Sequence, residues 1–224
     1  MSIDRQLPSA VLFDFSGTLY LAEDARSAVV VALGKKFADL APALQRWSAI
    51  NGSDTPADLP AHLADVWAQR DLSPAAHRAA YSGLARHAGL DEQQAARLYE
   101  RGIDPAAWRP FPDTAAVLEQ LRERCVPVAV VSNIGWDPRP VLRAGGVENH
   151  IDVLVLSDER GVLKPDPAIF QAACAELGVA PEHALMVGDN AVNDGGASAI
   201  GCRFALVTPA DHGSDGLLRA VGLA

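Results

Sequence analysis

Five short apolar runs limit what this chain can fold into. They span residues 10–13, 126–131, 151–156, 184–187 and 204–207, and each ends in small or polar residues. Because polar residues hardly alternate with apolar ones inside them, each run is typical of a strand that is buried on both faces. Helical patterns separate the later runs. The sequence therefore predicts a doubly wound α/β fold, with a parallel sheet and helices on both of its sides.

The ends of two core helices are marked in the sequence. Asp166 and Pro167 form an N-cap and first-turn pair, and Gly178 lies where the apolar pattern that follows them stops. Asp113 opens a second apolar pattern of helical spacing, which includes Val117 and Leu121. Both segments are predicted to be helices that pack on the sheet.

The stretch from residue 21 to residue 107 differs from the rest of the chain, because it contains no convincing strand. It is rich in Ala and is predicted to form several amphipathic helices, two of which begin at Ser73 and at Asp91. A helical block that interrupts an α/β chain just after its first strand is typical of an inserted module. We therefore expect residues 1–20 and 108–224 to form the α/β core and residues 21–107 to form a helical cap.

Charge and composition exclude some classes of partner. The 224 residues carry a formal net charge of -9, whereas a surface that binds duplex nucleic acid needs clustered Lys and Arg. A small phosphorylated substrate needs only one local positive pocket. No apolar run approaches the ~20 residues of a membrane-spanning helix, and no signal peptide is visible. Three cysteines without close pairing suit a reducing compartment, so we expect a cytoplasmic protein. The sequence leaves the oligomeric state open.

Polar residues gather where the predicted strands end. Ligands of a parallel sheet bind at the carboxyl ends of its strands, where the connecting loops converge. The residues at or near these ends are Asp14, Ser16, Gly17 and Thr18 after the first run, Ser132 and Asn133 after the second, Lys164 after the third, and Asp189 and Asp194 after the fourth. Three carboxylates, a hydroxyl group and one ammonium group are thus expected to share a small space.

This set of side chains favours phosphoryl chemistry with a magnesium ion. Carboxylates that lie close together repel one another unless a cation compensates them, and Mg²⁺ binds one or two carboxylates together with phosphate and water. Lys164 and Ser132 offer a positive charge and a hydroxyl donor to a phosphoryl group, while Gly17 lets the backbone approach an anion. These residues therefore predict a Mg²⁺-dependent site that is suited to phosphoryl transfer.

Four segments carry a resemblance to a known family. VLFDFSGTLY, VVSNIGWD, LKPDPAIF and VGDNAVND occur in the order and context of the motifs of the haloacid dehalogenase-like hydrolase superfamily. The chain most resembles members with a helical cap between the first two motifs, and the match covers residues 9–20 and 108–207. The resemblance implies a Rossmann-like core with the active site between core and cap.

The resemblance also implies a role for each residue at the strand ends. Asp14 would attack phosphorus to form an aspartyl-phosphate that water then hydrolyses. Mg²⁺ would be bound by Asp14, by the backbone carbonyl of Ser16, and by Asp189 and Asp194. Lys164 would stabilise the nucleophile and the transferred group. The phosphate would also be held by the remaining residues of the set: Gly17, Thr18, Ser132 and Asn133.

Ser16 departs from the family pattern. The phosphatases usually carry a second Asp there, which protonates the leaving group and activates the attacking water, and a serine hydroxyl is a poor substitute. Three consequences are open. The substrate has a good leaving group, or the aspartyl-phosphate is long-lived, or the reaction is not phosphate hydrolysis. Dehalogenase-like and phosphonatase-like reactions are the chemical alternatives, although a phosphonatase needs a cap lysine, for which only Lys35 and Lys36 are available. A catalytically impaired binding or regulatory protein is the alternative from another class.

Overall fold

All five apolar runs form strands, and they build one parallel sheet. The computed structural model describes residues 7–36, 39, 59–208 and 215–224. The strands are β1 (Ala10–Phe13), β2 (Tyr20–Ala22), β3 (Trp108–Pro110), β4 (Val128–Ser132), β5 (Val153–Leu156), β6 (Ala184–Gly188) and β7 (Arg203–Leu206). The large sheet has the order β5-β4-β1-β6-β7, so the predicted parallel α/β architecture is confirmed.

Strand β1 lies at the centre of the large sheet. Phe13 is in register with Val130 of β4 on one side and with Val187 of β6 on the other. All residues of β1, β4 and β6 are buried, which explains why their sequences show no polar alternation. The carboxyl ends of these three neighbouring strands therefore open at the same edge.

Helices cover both faces of the sheet. The helices are α1 (Ala25–Leu33), α2 (Ala64–Ala68), α3 (Pro74–His87), α4 (Glu92–Ile103), α5 (Thr114–Glu123), α6 (Arg139–Ala144), α7 (Ser157–Arg160), α8 (Pro167–Leu177) and α9 (Gly216–Val221). Val11 and Phe13 pack in one apolar layer with α5, α6 and α9, whereas Leu12 packs in a second layer with α8. The alternation along β1 thus divides the core into two layers, as in a doubly wound fold.

The helix ends that were read from the sequence are present, with one difference in how they are held. The Asp166 carboxylate accepts a hydrogen bond from the Ala168 amide at 2.9 Å, and Gly178 ends α8 with a φ of 69°. Asp113 precedes α5 as predicted, but its side chain does not cap that helix. Asp113 Oδ2 instead accepts the Leu217 amide at 2.7 Å, at the start of α9. The buried carboxylate therefore joins two helices that are about one hundred residues apart in the sequence.

The segment between β2 and β3 is helical over its described residues. Ser73 caps α3, and Asp91 forms a capping box with Gln94 at the start of α4, as predicted. The expectation that residues 21–107 contain no strand is wrong at its start, because Leu21 and Ala22 belong to β2, which pairs antiparallel with β3. Residues 37, 38 and 40–58 of the predicted cap lie outside the described residues. The domain limits at residues 20 and 108 stay predictions.

Within the described residues, no helix has both the length and the hydropathy that are needed to span a bilayer.

Candidate active site

The carboxyl ends of β1, β4 and β6 bring the predicted site residues to one edge of the sheet. Asp14 directly follows β1, and its amide donates to the Val187 carbonyl of β6 at 2.9 Å. Ser132 is the last residue of β4, and Asp189 directly follows β6. Because adjacent parallel strands end side by side, residues 57 to 175 positions apart along the chain meet here.

Lys164 connects two of the carboxylates at this edge. Its Nζ donates to Asp14 Oδ1 at 2.7 Å and to Asp194 Oδ1 at 2.6 Å. The three side chains are almost entirely buried, with exposed fractions of 3% for Lys164, 9% for Asp14 and 1% for Asp194. Charged hydrogen bonds are strong when they are buried. The two bonds from the Lys164 ammonium group therefore fix the positions of all three side chains.

Asn133 holds the backbone of Lys164. The Lys164 amide donates to Asn133 Oδ1 at 2.7 Å, and Asn133 Nδ2 donates to the Lys164 carbonyl at 3.0 Å. The peptide bond that follows, between Lys164 and Pro165, is cis. Both polar atoms of the Asn133 amide group therefore serve to position the lysine in this structure.

The acidic side chains form a group with the spacing of a metal site. One carboxylate oxygen each of Asp14, Asp189 and Asp194 lies within 4.8 Å of the others. Asp194 Oδ2 accepts the Asn190 amide at 2.9 Å, so this carboxylate is also held by its own loop. Three carboxylates around one ammonium group leave two negative charges uncompensated, which is the charge of one divalent ion. Hard oxygen donors of this kind fit Mg²⁺.

Burial and mutual repulsion shift the ionisation of the central groups. Burial raises the pKa of Asp14 to about 7 against the attraction of Lys164, and the neighbouring carboxylates of Asp194 and Asp189 add to the increase. Burial alone would lower the pKa of Lys164, but its attraction to Asp14 and Asp194 outweighs that effect and raises the pKa. Lys164 therefore remains an ammonium group, and a cation at the acidic group would favour the carboxylate form of Asp14.

Two glycines allow the loops to approach the acidic side chains. Gly17 has a φ of 84°, and a Cβ atom placed there would overlap the carboxylate of Asp189. A Cβ atom at Gly188 would overlap the carboxylate of Asp194 in the same way. Each glycine thus makes room for one carboxylate, and Gly17 in addition needs the left-handed backbone conformation that glycine adopts easily.

The turn after Asp14 places the remaining predicted residues in different surroundings. Ser16 is exposed, and the Gly17 amide donates to the Tyr20 carbonyl at 2.8 Å. Thr18 and Ser132 are buried, with exposed fractions of 0% and 2%. In the family pattern a second carboxylate occupies the position of Ser16. In this chain the turn offers a serine hydroxyl group there instead.

Asp71 is a residue near this edge that the sequence did not single out. Its carbonyl oxygen accepts a hydrogen bond from Ser157 Oγ at 2.5 Å, and Ser157 directly follows β5. Its carboxylate is 14% exposed, lies 3.4 Å from the Arg70 guanidinium and feels the charge of Lys164. Burial outweighs both cations and raises the pKa of Asp71 to about 6. No local motif surrounds Asp71, so only the fold reveals its position.

A cavity of about 210 Å³ lies between the helical segment and β2 and β3. Its wall includes Trp67, Tyr81, Tyr99, Trp108 and Trp136, and is therefore largely aromatic. The rings of Trp108 and Trp136 pack on Phe15, the residue after Asp14, with centroids 5.1 and 6.2 Å away. Two aromatic residues of the cavity wall thus contact the residue that follows Asp14.

Comparison with known proteins agrees with this geometry. Residues 8–201 match the family described as haloacid dehalogenase-like hydrolase. The chain belongs to this family. The resemblance inferred from the four segments is therefore confirmed, and so is the hydrolase class.

Relatives within the haloacid dehalogenase-like hydrolases include phosphatases and dehalogenases. The chain is 39% identical over 85 residues to phosphoserine phosphatase of Thermus thermophilus, covering 38% of this chain and 34% of that protein. It is 31% identical over 200 residues to glyceraldehyde 3-phosphate phosphatase of Methanopyrus kandleri, covering 83% of this chain and 77% of that protein. The crystal structure of a dehalogenase superimposes with a TM-score of 0.64 and 25% identity, covering 92% of this chain and 86% of that one. The chain spans about half or less of the length of several other curated relatives that it matches.

Proposed function

We propose that this protein is a magnesium-dependent phosphatase that acts on a small phosphorylated metabolite through an aspartyl-phosphate at Asp14. The observation that carries the proposal is the buried contact of Lys164 with both Asp14 and Asp194, beside Asp189. This arrangement offers one carboxylate nucleophile, one fixed positive charge and a set of oxygen donors for a divalent ion. The names of the two phosphatase relatives are consistent with a phosphorylated substrate.

The chain's own residues account for the steps of such a reaction. A carboxylate oxygen of Asp14 attacks phosphorus, and the bond from phosphorus to the leaving oxygen breaks. Lys164 and the hydroxyl group of Ser132 neutralise and orient the phosphoryl oxygens, with Gly17 and Thr18 close to the nucleophile in the same turn. Asn133 keeps Lys164 in place through its backbone and is proposed as a positioning residue.

The acidic residues would hold the magnesium ion. Asp14, Asp189 and Asp194 are the proposed side-chain ligands, and the Ser16 carbonyl is the proposed backbone ligand. When bound, Mg²⁺ would neutralise the charge of the acidic group and of the phosphate. Asp194 has one oxygen on Lys164 and the other on the Asn190 amide, so it is suited to orient the site as much as to bind the ion.

The remaining parts of the proposal concern the substrate and the helical segment. We propose that residues 21–107 form a cap that selects the substrate, above a core of residues 1–20 and 108–224. The net charge of -9 disfavours nucleic acid as a partner. The partner expected from the site is therefore a small molecule.

The test is release of phosphate from a panel of phosphate esters with and without Mg²⁺. We expect slow turnover that requires Mg²⁺ and loss of turnover in Asp14→Asn. Asp65→Asn is the matched control, because Asp65 is an exposed carboxylate of the helical segment. If no ester releases phosphate in an Asp14-dependent way, the proposal is wrong.

Three alternatives can be tested with the same protein preparation. A dehalogenase-like reaction is favoured by the superposition on a dehalogenase, and it would release halide from a 2-haloacid without Mg²⁺. We rank it lower because Asp189 and Asp194 add negative charge where an anion would leave. A phosphonatase-like reaction has less support, since Lys35 and Lys36 are exposed. An enzyme should bind beryllium fluoride, a phosphate mimic, at Asp14, whereas a binding or regulatory protein need not.

A further inference from the structure

We propose that Asp71 is the general acid and base of this site, and that it takes the part that Ser16 cannot. The inference rests on the proposed phosphatase function. It assigns the missing proton transfer to a carboxyl group that comes from the helical segment instead of from the turn after β1. Three observations carry it: the position of residues 70–72, the charges around Asp71 and the unsuitability of the other titratable groups nearby.

Residues 70–72 form a 3-10 turn that is held against the carboxyl edge of the sheet. Ser157 Oγ donates to the Asp71 carbonyl at 2.5 Å and accepts the Ile134 amide at 2.9 Å, so one hydroxyl group links this turn to the loops after β4 and β5. A Cβ atom at Gly135 would overlap the carbonyl oxygen of Arg70. The turn therefore packs directly on the loop that follows Ser132, at the edge where Asp14 lies.

The surroundings of the Asp71 carboxylate suit a group that both gives and takes a proton. Arg70 at 3.4 Å and Lys164 farther away are the cations that face it, and Tyr81 is the neighbouring phenol. Burial nevertheless dominates and raises the pKa of Asp71 to about 6. A carboxyl group that titrates near neutrality is present in both forms, as a general acid and base requires.

Four other titratable side chains, namely Asp14, Asp189, Asp194 and His77, are less suitable for this role. Asp14, Asp189 and Asp194 belong to the proposed nucleophile and metal site. Burial and Arg70 lower the pKa of His77 to about 4, and its Nδ1 lies 3.1 Å from Tyr99 Oη, so it is neutral and already paired.

The proposed proton transfers balance over the two steps. In the first step, Asp14 forms a bond to phosphorus, the bond from phosphorus to the ester oxygen breaks, and the Asp71 carboxyl group gives its proton to that oxygen. The alcohol leaves and Asp71 is a carboxylate. In the second step, water attacks phosphorus, its proton passes to Asp71, and the aspartyl-phosphate bond breaks. Inorganic phosphate leaves, and both aspartates return to their initial state.

The experiment compares leaving groups on the full-length protein. We would measure kcat/KM with Mg²⁺ for p-nitrophenyl phosphate, phenyl phosphate and an alkyl phosphate, in the wild type, Asp71→Asn and the control Asp65→Asn. A nitrophenolate is stable enough to leave without a proton. An alkoxide is a poor leaving group unless a general acid protonates its oxygen. We expect Asp71→Asn to lower kcat/KM for the alkyl phosphate by ~100- to 10,000-fold and to change it far less for p-nitrophenyl phosphate. The control is expected to behave as the wild type.

Further measurements separate proton transfer from a structural role. Ser16→Asp in the Asp71→Asn background should restore the alkyl phosphate activity. In the wild type, kcat/KM should depend only weakly on the leaving group. This measurement tests the proposal even if Asp71→Asn does not fold. The assignment would be overturned if Asp71→Asn lowered kcat/KM equally for all three esters or for none of them. It would also be overturned if kcat/KM of the wild type depended steeply on the leaving group. Failure of the proposed function is distinct, because the wild type would then release no phosphate through Asp14.

Discussion

Replacing Lys164 by Met removes a buried positive charge while keeping most of the volume of its side chain. In the wild type, Nζ lies 2.7 Å from Asp14 Oδ1 and 2.6 Å from Asp194 Oδ1. Both carboxylates would remain buried without the cation. Removing one partner of a buried ion pair costs ~3–5 kcal/mol, because the remaining charge is neither solvated nor paired.

This magnitude is large against the stability of a single-domain protein, which is on the order of 5–15 kcal/mol. For a chain of this size it corresponds to a decrease in Tm of roughly 6 to 20 °C. The assay is unfolding in urea with EDTA present, followed by tryptophan fluorescence. The matched control is Lys35→Met, since Lys35 is exposed and its replacement should leave stability nearly unchanged.

Two further measurements test the cause of the expected loss. Mg²⁺ should restore part of the stability of Lys164→Met, because a divalent ion at the acidic group compensates the same charges. Combining Lys164→Met with Asp194→Asn should cost less than the sum of the two single changes, since the pair shares one interaction. A loss below about 1 kcal/mol in Lys164→Met, as for an exposed ion pair, would refute the reasoning.

Three other predictions follow from particular contacts. Gly17→Ala should raise the Mg²⁺ concentration needed for half-maximal activity, because its Cβ would displace Asp189; Gly34→Ala, at a φ of 63° with open space around it, should cost a similar ~1–2 kcal/mol in urea unfolding but leave that concentration unchanged. Burial lowers the pKa of His77 from 6.5 to about 4, so the unfolded chain binds a proton that the folded chain does not, and stability is lost as the pH falls through this window. At pH 5 the loss should be about 2 kcal/mol relative to His77→Gln, measured by urea unfolding at pH 5 and 7.5; equal pH dependence in both proteins would contradict it. Asp113→Ala should lower the free energy of unfolding by roughly 1–2 kcal/mol, because the first amides of α9 lose their acceptor; a calorimetric scan with unchanged Tm would exclude this role.

The core could be predicted because its signals are local. The run at residues 10–13 forms β1 with the predicted limits, and Asp166, Pro167 and Gly178 mark the ends of α8 by their own conformational preferences. The grouping of Asp14, Lys164, Asp189 and Asp194 could also be anticipated, because parallel strands place their carboxyl ends together.

The features that escaped prediction depend on contacts between distant residues. Strands β2 and β3 have three residues each, and their pairing spans more than eighty residues of the chain, so neither carries a periodic pattern. Asp113 lies at a helix start but its side chain bonds another helix, and the bonds between Asn133 and the backbone of Lys164 have no signal in the sequence. Asp71 has no motif around it at all. In each case the partner is fixed by tertiary packing, which local sequence does not contain.

The central place of β1 has a consequence for local opening of the protein. Its backbone amides and carbonyls are paired on both sides, with β4 and with β6, whereas β5 and β7 are edge strands. Fraying therefore begins at the edges, and amide hydrogen exchange in β1 should require nearly global unfolding. Asp14, the proposed nucleophile, directly follows β1 and is thus anchored to the slowest-exchanging element of the fold, so it should keep its position while the outer strands fluctuate.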